Sequence, residues 1–469
     1  MNNNEMRIKE RYREAEALTE KYNQQHLLKL FRELPVDGQQ RLLDQILSLD
    51  FDLITSLYNN LTVKDTDECS YNNIEPINVQ KLEAFSEDEK ETFASKGMEM
   101  LKEGKVAVLL VAGGQGTRLG HNGPKGTYNI GLPSGKSLFQ LQGEQLINLS
   151  KKADRYIPWY VMTSPENNED TVGFFESNNY FGYPREYVSF FQQDVLPMID
   201  TEGKILLSKE DSIALGPNGN GGCFLALERS GMLHKMKEQG VQWVFQYGID
   251  NSLVKVADPV FIGFTVMSGL QASSKVVRKK YPEESVGVFC YRNGKPDIIE
   301  YSELPEALRY KVNENGELAY SSANIINHIF SLEFLEKVSE VKLPYHMAFK
   351  KVQYVDGDGN TISPSSPNAY KFELFMFDIF PLLKDMAALE VIREEEFAPV
   401  KNKEGADSPS TARSLILDLH KKWLINAGIS PEMLKDKLIE ISPLTSYYGE
   451  NLNYDKVKDI VLKREVDVL

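Results

Sequence analysis

The sequence predicts a three-layer α/β protein, because short apolar runs alternate along the chain with stretches of helical periodicity. An uninterrupted apolar run of four to eight residues is typical of a strand buried on both faces of a mainly parallel sheet. A glycine-rich segment follows the first of these runs, as expected at the carboxyl end of such a strand. The runs that predict strands lie at 106–112, 159–162, 187–191, 243–247, 261–266 and 287–291.

The chain before the first strand predicts helices. Residues 5–60 place apolar side chains at helical spacing, and Pro35–Gly38 separates two such stretches. Residues 65–76 are polar and predict a linker, and a further helix is expected over 86–103 with Gly104 at its end. We therefore predict an N-terminal helical region over 1–103.

Helical stretches at 138–152 and 225–239 lie between predicted strands. Together with the strands they predict an α/β domain over 104–405. The remaining residues, 406–469, read as helical after Thr411 and then as irregular. They predict a short C-terminal extension rather than a third large domain.

Composition excludes several classes of function. The 469 residues carry a net charge of −15, which leaves no basic surplus for binding a nucleic-acid backbone. The three cysteines, Cys69, Cys223 and Cys290, lie far apart, so neither a zinc site nor a disulfide framework is expected. No segment reads as a signal peptide or a membrane span, and we expect a cytoplasmic protein. The sequence leaves the oligomeric state open.

The glycine-rich segment at 112–120 is the strongest candidate for a binding site. Glycines let backbone amides approach a phosphate closely, and Arg118 and Lys125 add two cations nearby. Together they could clamp a triphosphate and stabilise the charge that develops on a leaving pyrophosphate. The candidate nucleotide contacts in this segment are Ala112, Gly113, Gly114, Gly116 and Thr117.

Two common phosphate motifs do not fit these residues. The dinucleotide fingerprint needs two residues between its second and third glycines, whereas three lie between Gly116 and Gly120. The P-loop needs four residues before its Gly-Lys-Ser, whereas only three separate Gly131 from Gly135. A purely structural turn is the remaining alternative, and it would not need the arginine and the lysine.

Residues 109–120, followed by Pro124, Lys125 and Gly126, resemble the signature of the UDP-sugar pyrophosphorylases. Residues 128–134 and 136–140 are similar to the branch of that family that makes UDP-N-acetylhexosamines. The resemblance implies a glycosyltransferase-A-like, Rossmann-type domain with a mixed, mainly parallel sheet. It also implies transfer of a uridylyl group from UTP to a sugar 1-phosphate, with Mg²⁺ as cofactor.

Asp250 is the candidate metal ligand. It follows a predicted strand, and a carboxylate at such a strand end faces the ligand crevice of an α/β sheet. Mg²⁺ needs only one or two carboxylates when phosphate oxygens complete its coordination. The family resemblance implies an aspartate at this position for the same purpose, whereas a helix-capping aspartate is the structural alternative.

The resemblance assigns further residues to the same site. It implies that Gln192 and Gln193 lie beside the uracil and that Lys371 holds the sugar phosphate, where it would join Arg118 and Lys125 in catalysis. Further nucleotide contacts are expected at Pro217, Gly219 and Gly221. Contacts with the sugar or its phosphate are expected at Asn220, Gly222, Asn251, Glu300, Tyr301, Asn324 and Lys401.

The sequence leaves alternatives open for the sugar substrate and for the class of function. Residues 243–250 lack a histidine that the acetylhexosamine branch has before its aspartate, and Phe224 stands where tyrosine is usual. N-acetylglucosamine 1-phosphate is therefore the first choice, with glucose 1-phosphate or broad specificity as the alternative. A catalytically inactive nucleotide-binding regulator and a dehydrogenase are the competing classes; the retained cations oppose the first and the glycine spacing opposes the second.

Overall fold

The computed structural model describes residues 3–62, 73–455, 457–458 and 466–468. The α-helices in chain order are α1 Asn3–Lys21, α2 Val36–Ser48, α3 Phe51–Thr62, α4 Glu87–Lys102, α5 Leu138–Ala153, α6 Asn168–Ser177, α7 Gly222–Arg229, α8 Met232–Glu238, α9 Pro259–Ser268, α10 Glu306–Arg309, α11 Leu332–Ser339, α12 Arg393–Glu396, α13 Pro409–Asn426 and α14 Pro431–Leu434. The strands are β1 Ile74–Pro76, β2 Gln80–Lys81, β3 Val106–Val111, β4 Trp159–Thr163, β5 Val188–Gln192, β6 Val195–Pro197, β7 Ile199–Asp200, β8 Leu207–Lys209, β9 Ser212–Ile213, β10 Leu215–Pro217, β11 Trp243–Gly248, β12 Ala272–Arg278, β13 Val288–Arg292, β14 Lys295–Ile299, β15 Ser322–Ser331, β16 Tyr345–Lys350, β17 Tyr354–Val355, β18 Thr361–Ile362, β19 Ala369–Leu374, β20 Ala387–Glu390, β21 Leu438–Glu440 and β22 Val466–Val468.

The chain forms two compact units, each built from three separate segments. Unit 1 comprises Met1–Ser70, Asp194–Gly222 and Leu343–Met376, and unit 2 comprises Tyr71–Gln193, Cys223–Lys342 and Phe377–Leu469. This division differs from the predicted boundaries at 103/104 and 405/406. The physical reason is that the N-terminal helices bury their apolar faces against strands that come from later parts of the chain.

Unit 1 contains the predicted N-terminal helices, which the structure confirms as α1, α2 and α3. Leu42, Leu43 and Ile46 of α2 form a core with Ile199 and Leu207 from the inserted strands. Pro35 separates a 3₁₀ helix, Phe31–Glu33, from α2 and occupies the N-terminal cap of α2, whereas the rest of the predicted break, 36–38, forms the first turn of that helix. Proline suits this position, since the first amides of a helix have no intrahelical partner. The expected linker at 65–76 lies partly outside the described residues, and its end forms β1.

Unit 2 is built on one mixed sheet, in which the strand order is β2-β20-β12-β15-β11-β3-β4-β5. Along this path β15 is antiparallel to both of its neighbours, β11 and β12, whereas the other neighbouring pairs are parallel. Strand β13 also pairs with β15, and it carries β14 and β1. The predicted mixed, mainly parallel sheet is confirmed.

Helices cover both faces of this sheet. Along β11, Phe245 packs against Phe261 of α9, while Gln246 on the opposite face contacts Cys223 of α7. Because neighbouring side chains of a strand point to opposite faces, α9 and α7 lie on different sides. The three-layer arrangement predicted from the sequence follows from these contacts.

The predicted strand at 261–266 is wrong, because these residues form most of helix α9. Nearly every side of α9 is apolar and buried, so the sequence lacks the polar face that reveals a helical period. The start signals were nevertheless present: Asp258 accepts a hydrogen bond from the amide of Val260 (3.0 Å), and Pro259 opens the helix. The predicted helix over 225–239 is likewise split into α7 and α8, since Gly231 adopts a left-handed conformation (φ 72°).

The remaining predictions for this unit agree with the structure. The expected helix over 86–103 is α4, which begins with a capping box between Ser86 and Glu89. The C-terminal region begins with α13 and continues through α14 to the strand pair β21 and β22. None of the described helices combines the length and the apolar character needed to cross a lipid bilayer.

Helices α4 and α9 cross so closely that two glycines are required at the contact. A Cβ atom on Gly263 would lie 1.8 Å from the carbonyl oxygen of Phe93, and one on Gly97 would lie 1.9 Å from that of Pro259. Backbone atoms at such a distance cannot be avoided by a change of rotamer. The two helices therefore depend on glycine at both positions.

We predict that Gly263→Ala lowers the free energy of unfolding by about 1–3 kcal/mol or more, because the helices must move apart. Urea denaturation followed by circular dichroism measures this change. Gly173→Ala is the matched control, since a Cβ at this helical position meets no atom within 4 Å. The control should be stabilised by about 0.5–1 kcal/mol, and equal stability of the two variants would contradict the close crossing.

Candidate active site

The candidate site of unit 2 lies at the carboxyl ends of four adjacent parallel strands. Gly248 at the end of β11 pairs with Val111 at the end of β3, and Gln192 at the end of β5 pairs with Thr163 of β4. The loops that leave these strands therefore start side by side at one edge of the sheet. This is the position at which open α/β sheets bind ligands.

The glycine-rich loop after β3 closes on itself. The amide of Gly116 donates to the carbonyl of Gly123 (2.9 Å), and the amide of Lys125 donates to that of Gly114 (3.1 Å). The left-handed backbone positions are Gly120 (φ 71°) and Gly123 (φ 143°). The turn therefore needs glycine at these two later positions, where a side chain would strain the backbone.

Gly113 lies close to a neighbouring side chain, whereas Gly114 borders open space. A Cβ atom on Gly113 would lie 2.5 Å from the side-chain nitrogen of Gln193, so a larger residue would displace the end of that side chain. A Cβ on Gly114 would meet no atom within 4 Å. Gly114 and Thr117 are exposed, whereas Ala112 and Gly116 are buried. The structure therefore leaves open space for a ligand beside Gly114.

Two side chains that the sequence does not mark as functional hold this loop. The His121 ring forms a hydrogen bond with the Thr127 hydroxyl (Nε2···Oγ1 2.7 Å). The amide nitrogen of Asn167, in the turn after β4, donates to the carbonyl of Ala112 (3.0 Å). The position of Asn167 after a predicted strand end was an available signal, but its partner is more than fifty residues away.

A group of cations faces one carboxylate beside the loop. Burial lowers the pKa of the Lys125 ammonium, the Asp250 carboxylate raises it, and the charges of Arg118 and Lys401 lower it, with a net downward shift. Arg118 is exposed, whereas Lys125 and Lys401 are half-buried. The structure therefore brings together three predicted cations and the predicted metal ligand. Burial removes water from the Lys125 ammonium. An anion bound among the cations would stabilise the ammonium charge in place of that water.

Asp250 lies two residues after the end of β11, and its backbone carbonyl accepts a hydrogen bond from the amide of Val400 (2.8 Å). A Cβ atom on Gly248 would lie 2.9 Å from a carboxylate oxygen of Asp250, so glycine makes room for this side chain. No cluster of three or more potential ligand side chains occurs among the described residues. The donor set fits Mg²⁺, which binds through one or two carboxylates together with substrate phosphates.

The side chain of Asn251, for which a sugar contact is predicted, is buried beside Asp250. It is 3% exposed, and its amide nitrogen donates to the carbonyl of Glu396 (2.7 Å). Its amide oxygen accepts from the backbone amides of Ala398 (2.9 Å) and Leu253 (3.2 Å). This buried side chain therefore holds the 396–398 segment beside Asp250, and its contact with a sugar stays a prediction.

The two glutamines after β5 differ in their surroundings. Gln192 is exposed, whereas Gln193 is 6% exposed and its backbone amide donates to the carbonyl of Thr163 (2.8 Å). The side chain of Gln193 lies against Gly113. The structure thus places Gln193 at the glycine-rich loop, and a base contact by Gln192 and Gln193 stays a prediction.

Of three candidate sugar residues, Glu300 and Tyr301 directly follow β14, and Asn324 lies in β15. A Cβ on Gly287 would lie 2.8 Å from a carboxylate oxygen of Glu300, and the carbonyl of Gly287 accepts from the amide of Asn324 (2.9 Å). The structure therefore brings Glu300 and Asn324 together. The Tyr301 ring beside them is 44% exposed.

A backbone irregularity links Asn324 to the metal candidate. Ile326 adopts a left-handed conformation (φ 53°), which is rare for a β-branched residue. The side-chain oxygen of Asn324 accepts from the amide of Ile326 (2.9 Å) and supports this conformation. The Ile326 side chain then faces Gly248, next to Asp250. Strained positions of this kind cluster at functional sites.

The other predicted site residues lie in unit 1. Lys371 of β19 forms an ion pair with Glu373 (2.7 Å). The turn that contains Pro217, Gly219, Asn220, Gly221 and Gly222 packs against the end of the same strand. The amide of Gly221 donates to the carbonyl of Leu374 (2.9 Å), and the Asn220 side-chain oxygen accepts from the amide of Met376 (3.0 Å). Contacts of these residues with nucleotide or sugar stay predictions.

Comparison with known proteins identifies the family. The model of the UDPGP family, described as UTP–glucose-1-phosphate uridylyltransferase, matches residues 51–462. The chain belongs to the UDPGP family. This result confirms the resemblance seen in the glycine-rich segment.

The matches with individual relatives extend over most of this chain. A human UDP-N-acetylhexosamine pyrophosphorylase-like protein 1 is 39% identical, and the match covers 94% of both chains. The UDP-N-acetylglucosamine pyrophosphorylase of Saccharomyces cerevisiae is 41% identical over 82% of both chains. The crystal structure of the uridine diphosphate N-acetylglucosamine pyrophosphorylase from Trypanosoma brucei, in complex with an inhibitor, superimposes with a TM-score of 0.83 at 29% identity, covering 100% of this chain and 98% of that one.

A buried ionic cluster in this UDPGP-family chain supports the site and was not predicted. Lys275 of β12 is fully buried and binds Asp258 (2.6 Å) and Glu396 (2.5 Å), while Lys255 binds the other oxygen of Glu396 (3.2 Å). Burial alone would raise the pKa of Asp258, but the two lysines lower it, with a net downward shift. The cluster thus ties β12 to the segments that flank Asp250.

We predict that Lys275→Met lowers the free energy of unfolding by about 3–5 kcal/mol, because it leaves buried carboxylates with one cation fewer. Urea denaturation measures the change. Lys337→Met removes an exposed ion pair with Glu333 and serves as control; it should cost less than about 1 kcal/mol. If Lys275→Met were as stable as this control, the cluster would not hold the segments together.

Proposed function

We propose that the chain is a uridylyltransferase that joins UTP and N-acetylglucosamine 1-phosphate to give UDP-N-acetylglucosamine and pyrophosphate. The observation that carries the proposal is that the charges of Arg118, Lys401 and Asp250 all act on Lys125, whose backbone closes a glycine-rich loop with open space at Gly114. Such a site recognises several phosphates and the charge that develops between them. Membership of the UDPGP family supports the same reaction.

The proposed reaction is a single displacement at phosphorus. A phosphate oxygen of the sugar 1-phosphate forms a bond to the α-phosphorus of UTP. The bond from that phosphorus to the bridging oxygen breaks, and pyrophosphate leaves with the electron pair. Because the attacking group is already an anion, this step needs no general base.

The residues of this chain contribute position and charge. The loop around Gly114 would hold the triphosphate, and Lys125 and Arg118 would stabilise the charge that moves onto the departing pyrophosphate. Partial burial keeps competing water away from Lys125, which strengthens its attraction for the anion. Mg²⁺ would be held by Asp250 and by phosphate oxygens, and it would neutralise phosphate charge.

The choice of sugar rests on relatives and on one group of side chains. The human and yeast relatives are named for N-acetylhexosamine and N-acetylglucosamine, and the identities of 39% and 41% are high enough to favour that substrate class. Glu300 and Asn324 offer a carboxylate and an amide, which can bind hydroxyl and acetamido groups. Glucose 1-phosphate is the alternative, because the family model is described by that substrate.

We predict that the protein releases pyrophosphate from UTP most efficiently with N-acetylglucosamine 1-phosphate. A coupled pyrophosphate assay with the N-acetylglucosamine, N-acetylgalactosamine and glucose 1-phosphates gives kcat/KM for each. Chelation of divalent cations should abolish release, and added Mg²⁺ should restore it. A higher kcat/KM for glucose 1-phosphate would favour the alternative, and no release with any sugar would reject uridylyl transfer.

We further predict that Lys125→Ala lowers kcat/KM by about 10²–10³-fold, because the departing pyrophosphate loses a well-placed cation. Steady-state kinetics with a thermal melt separates this effect from unfolding. Lys151→Ala, at an exposed position of α5, is the matched control and should keep wild-type kinetics. A near-normal rate for Lys125→Ala would remove this lysine from the proposed mechanism.

A further inference from the structure

Asn167 occupies an unusual position for a capping residue. It lies at the N-terminal cap of α6, between the end of β4 and the first turn of the helix. Asparagine is favoured there because its side chain can accept a hydrogen bond from a helix amide. In this structure the Asn167 side chain makes no such bond to α6. The side chain of Asn167 therefore has hydrogen-bond partners outside the helix.

The side-chain amide of Asn167 forms hydrogen bonds with the backbone of the glycine-rich loop. Its nitrogen donates to the carbonyl of Ala112 at 3.0 Å and reaches that of Gly114 at 3.4 Å. Its oxygen accepts from the backbone amide of Ser164 at 2.8 Å, which fixes the orientation of the amide plane. Asn167 is 0% exposed, so water cannot replace these contacts.

These contacts, together with the hydrogen bond from the Lys125 amide to the Gly114 carbonyl (3.1 Å), set which way the loop amides point. In a planar trans peptide the carbonyl and the following amide point in opposite directions. The carbonyls of Ala112 and Gly114 are turned toward Asn167, so the amides of Gly113 and Gln115 are turned away from it. Gly114, which lies between them, borders open space. The two backbone donors that flank Gly114 therefore point away from Asn167.

We propose that Asn167 is a positioning residue that aims the amides of Gly113 and Gln115 at the phosphates of the nucleotide. It does not touch the reacting atoms, and it acts through the loop that it holds. This inference rests on the proposed function, because it assigns the open side of the loop to the triphosphate. The amide is suited to this task, since it supplies a donor to the loop carbonyls and an acceptor to Ser164 at the same time.

The test replaces this amide by a carboxylate of the same shape. In Asn167→Asp an ionised carboxylate oxygen would face the carbonyl oxygens of Ala112 and Gly114. Because these oxygens repel the carboxylate, the loop would shift and its amides would no longer point at the phosphates. We expect KM for UTP to rise by about tenfold or more. Because the variant changes the phosphate loop, KM for the sugar 1-phosphate should change by less than about threefold.

A pH profile distinguishes positioning from a general structural role. Burial raises the pKa of an introduced carboxyl, and its protonated form again offers one donor to the loop. The defect in KM for UTP should therefore shrink as the pH is lowered from about 8 to about 6. Asn167→Ala, which cannot regain a donor, should show a raised KM for UTP without this recovery. It also serves as a second variant if Asn167→Asp folds poorly.

Asn168→Asp is the matched control, because it adds the same charge one residue away. The Asn168 side-chain oxygen accepts from the Thr163 hydroxyl (2.7 Å), and an aspartate can still do so. This control should keep the wild-type KM for UTP. The inference is overturned if folded Asn167→Asp and Asn167→Ala bind UTP as the wild type does. If the wild-type protein itself shows no UTP-dependent activity, the proposed function fails instead, so the two failures are distinct.

Discussion

The pairing of buried charges is the constraint on which the site of unit 2 depends. Lys275 has no access to water, so it must keep Asp258 and Glu396 as partners. These three residues come from the start of α9, from β12 and from α12, which are far apart in sequence. Their contact fixes the 396–400 segment, and that segment in turn binds the backbone of Asp250 and the side chain of Asn251.

The consequence is a site whose charges are held by backbone contacts before a substrate arrives. Lys401 follows the fixed segment, and its amide donates to the carbonyl of Asp407 (2.7 Å). The glycine-rich loop is closed by its own backbone hydrogen bonds, and the Asn167 side chain forms a further hydrogen bond with it. Groups held in this way need little reorganisation during reaction, which is the main source of electrostatic stabilisation in enzymes. Rigid support thus matters as much as the charges themselves.

The sequence predicted what local patterns determine. The runs that became β3, β4, β5, β11 and β13 are short and apolar, and the glycine-rich loop carries its own signature. Helix α9 was missed because its apolar surface has no polar face to mark a period. Asn167, Asn251 and Lys275 act through partners many residues away, so no local pattern could assign their contacts. The division into units escaped prediction for the same reason, since each unit combines segments from distant parts of the chain.

Recognition of phosphate and recognition of sugar use different kinds of group in this proposal. The loop offers backbone amides and the cations Arg118 and Lys125, which respond to phosphate charge whatever sugar is attached. Glu300 and Asn324 offer directional side-chain groups, and the side-chain oxygen of Asn324 also accepts from the amide of Ile326, which has a left-handed backbone. A change at these side chains alters which hydroxyl or acetamido group is satisfied, while the phosphate loop is untouched. One reaction can therefore persist in the UDPGP family while the preferred sugar differs between its members.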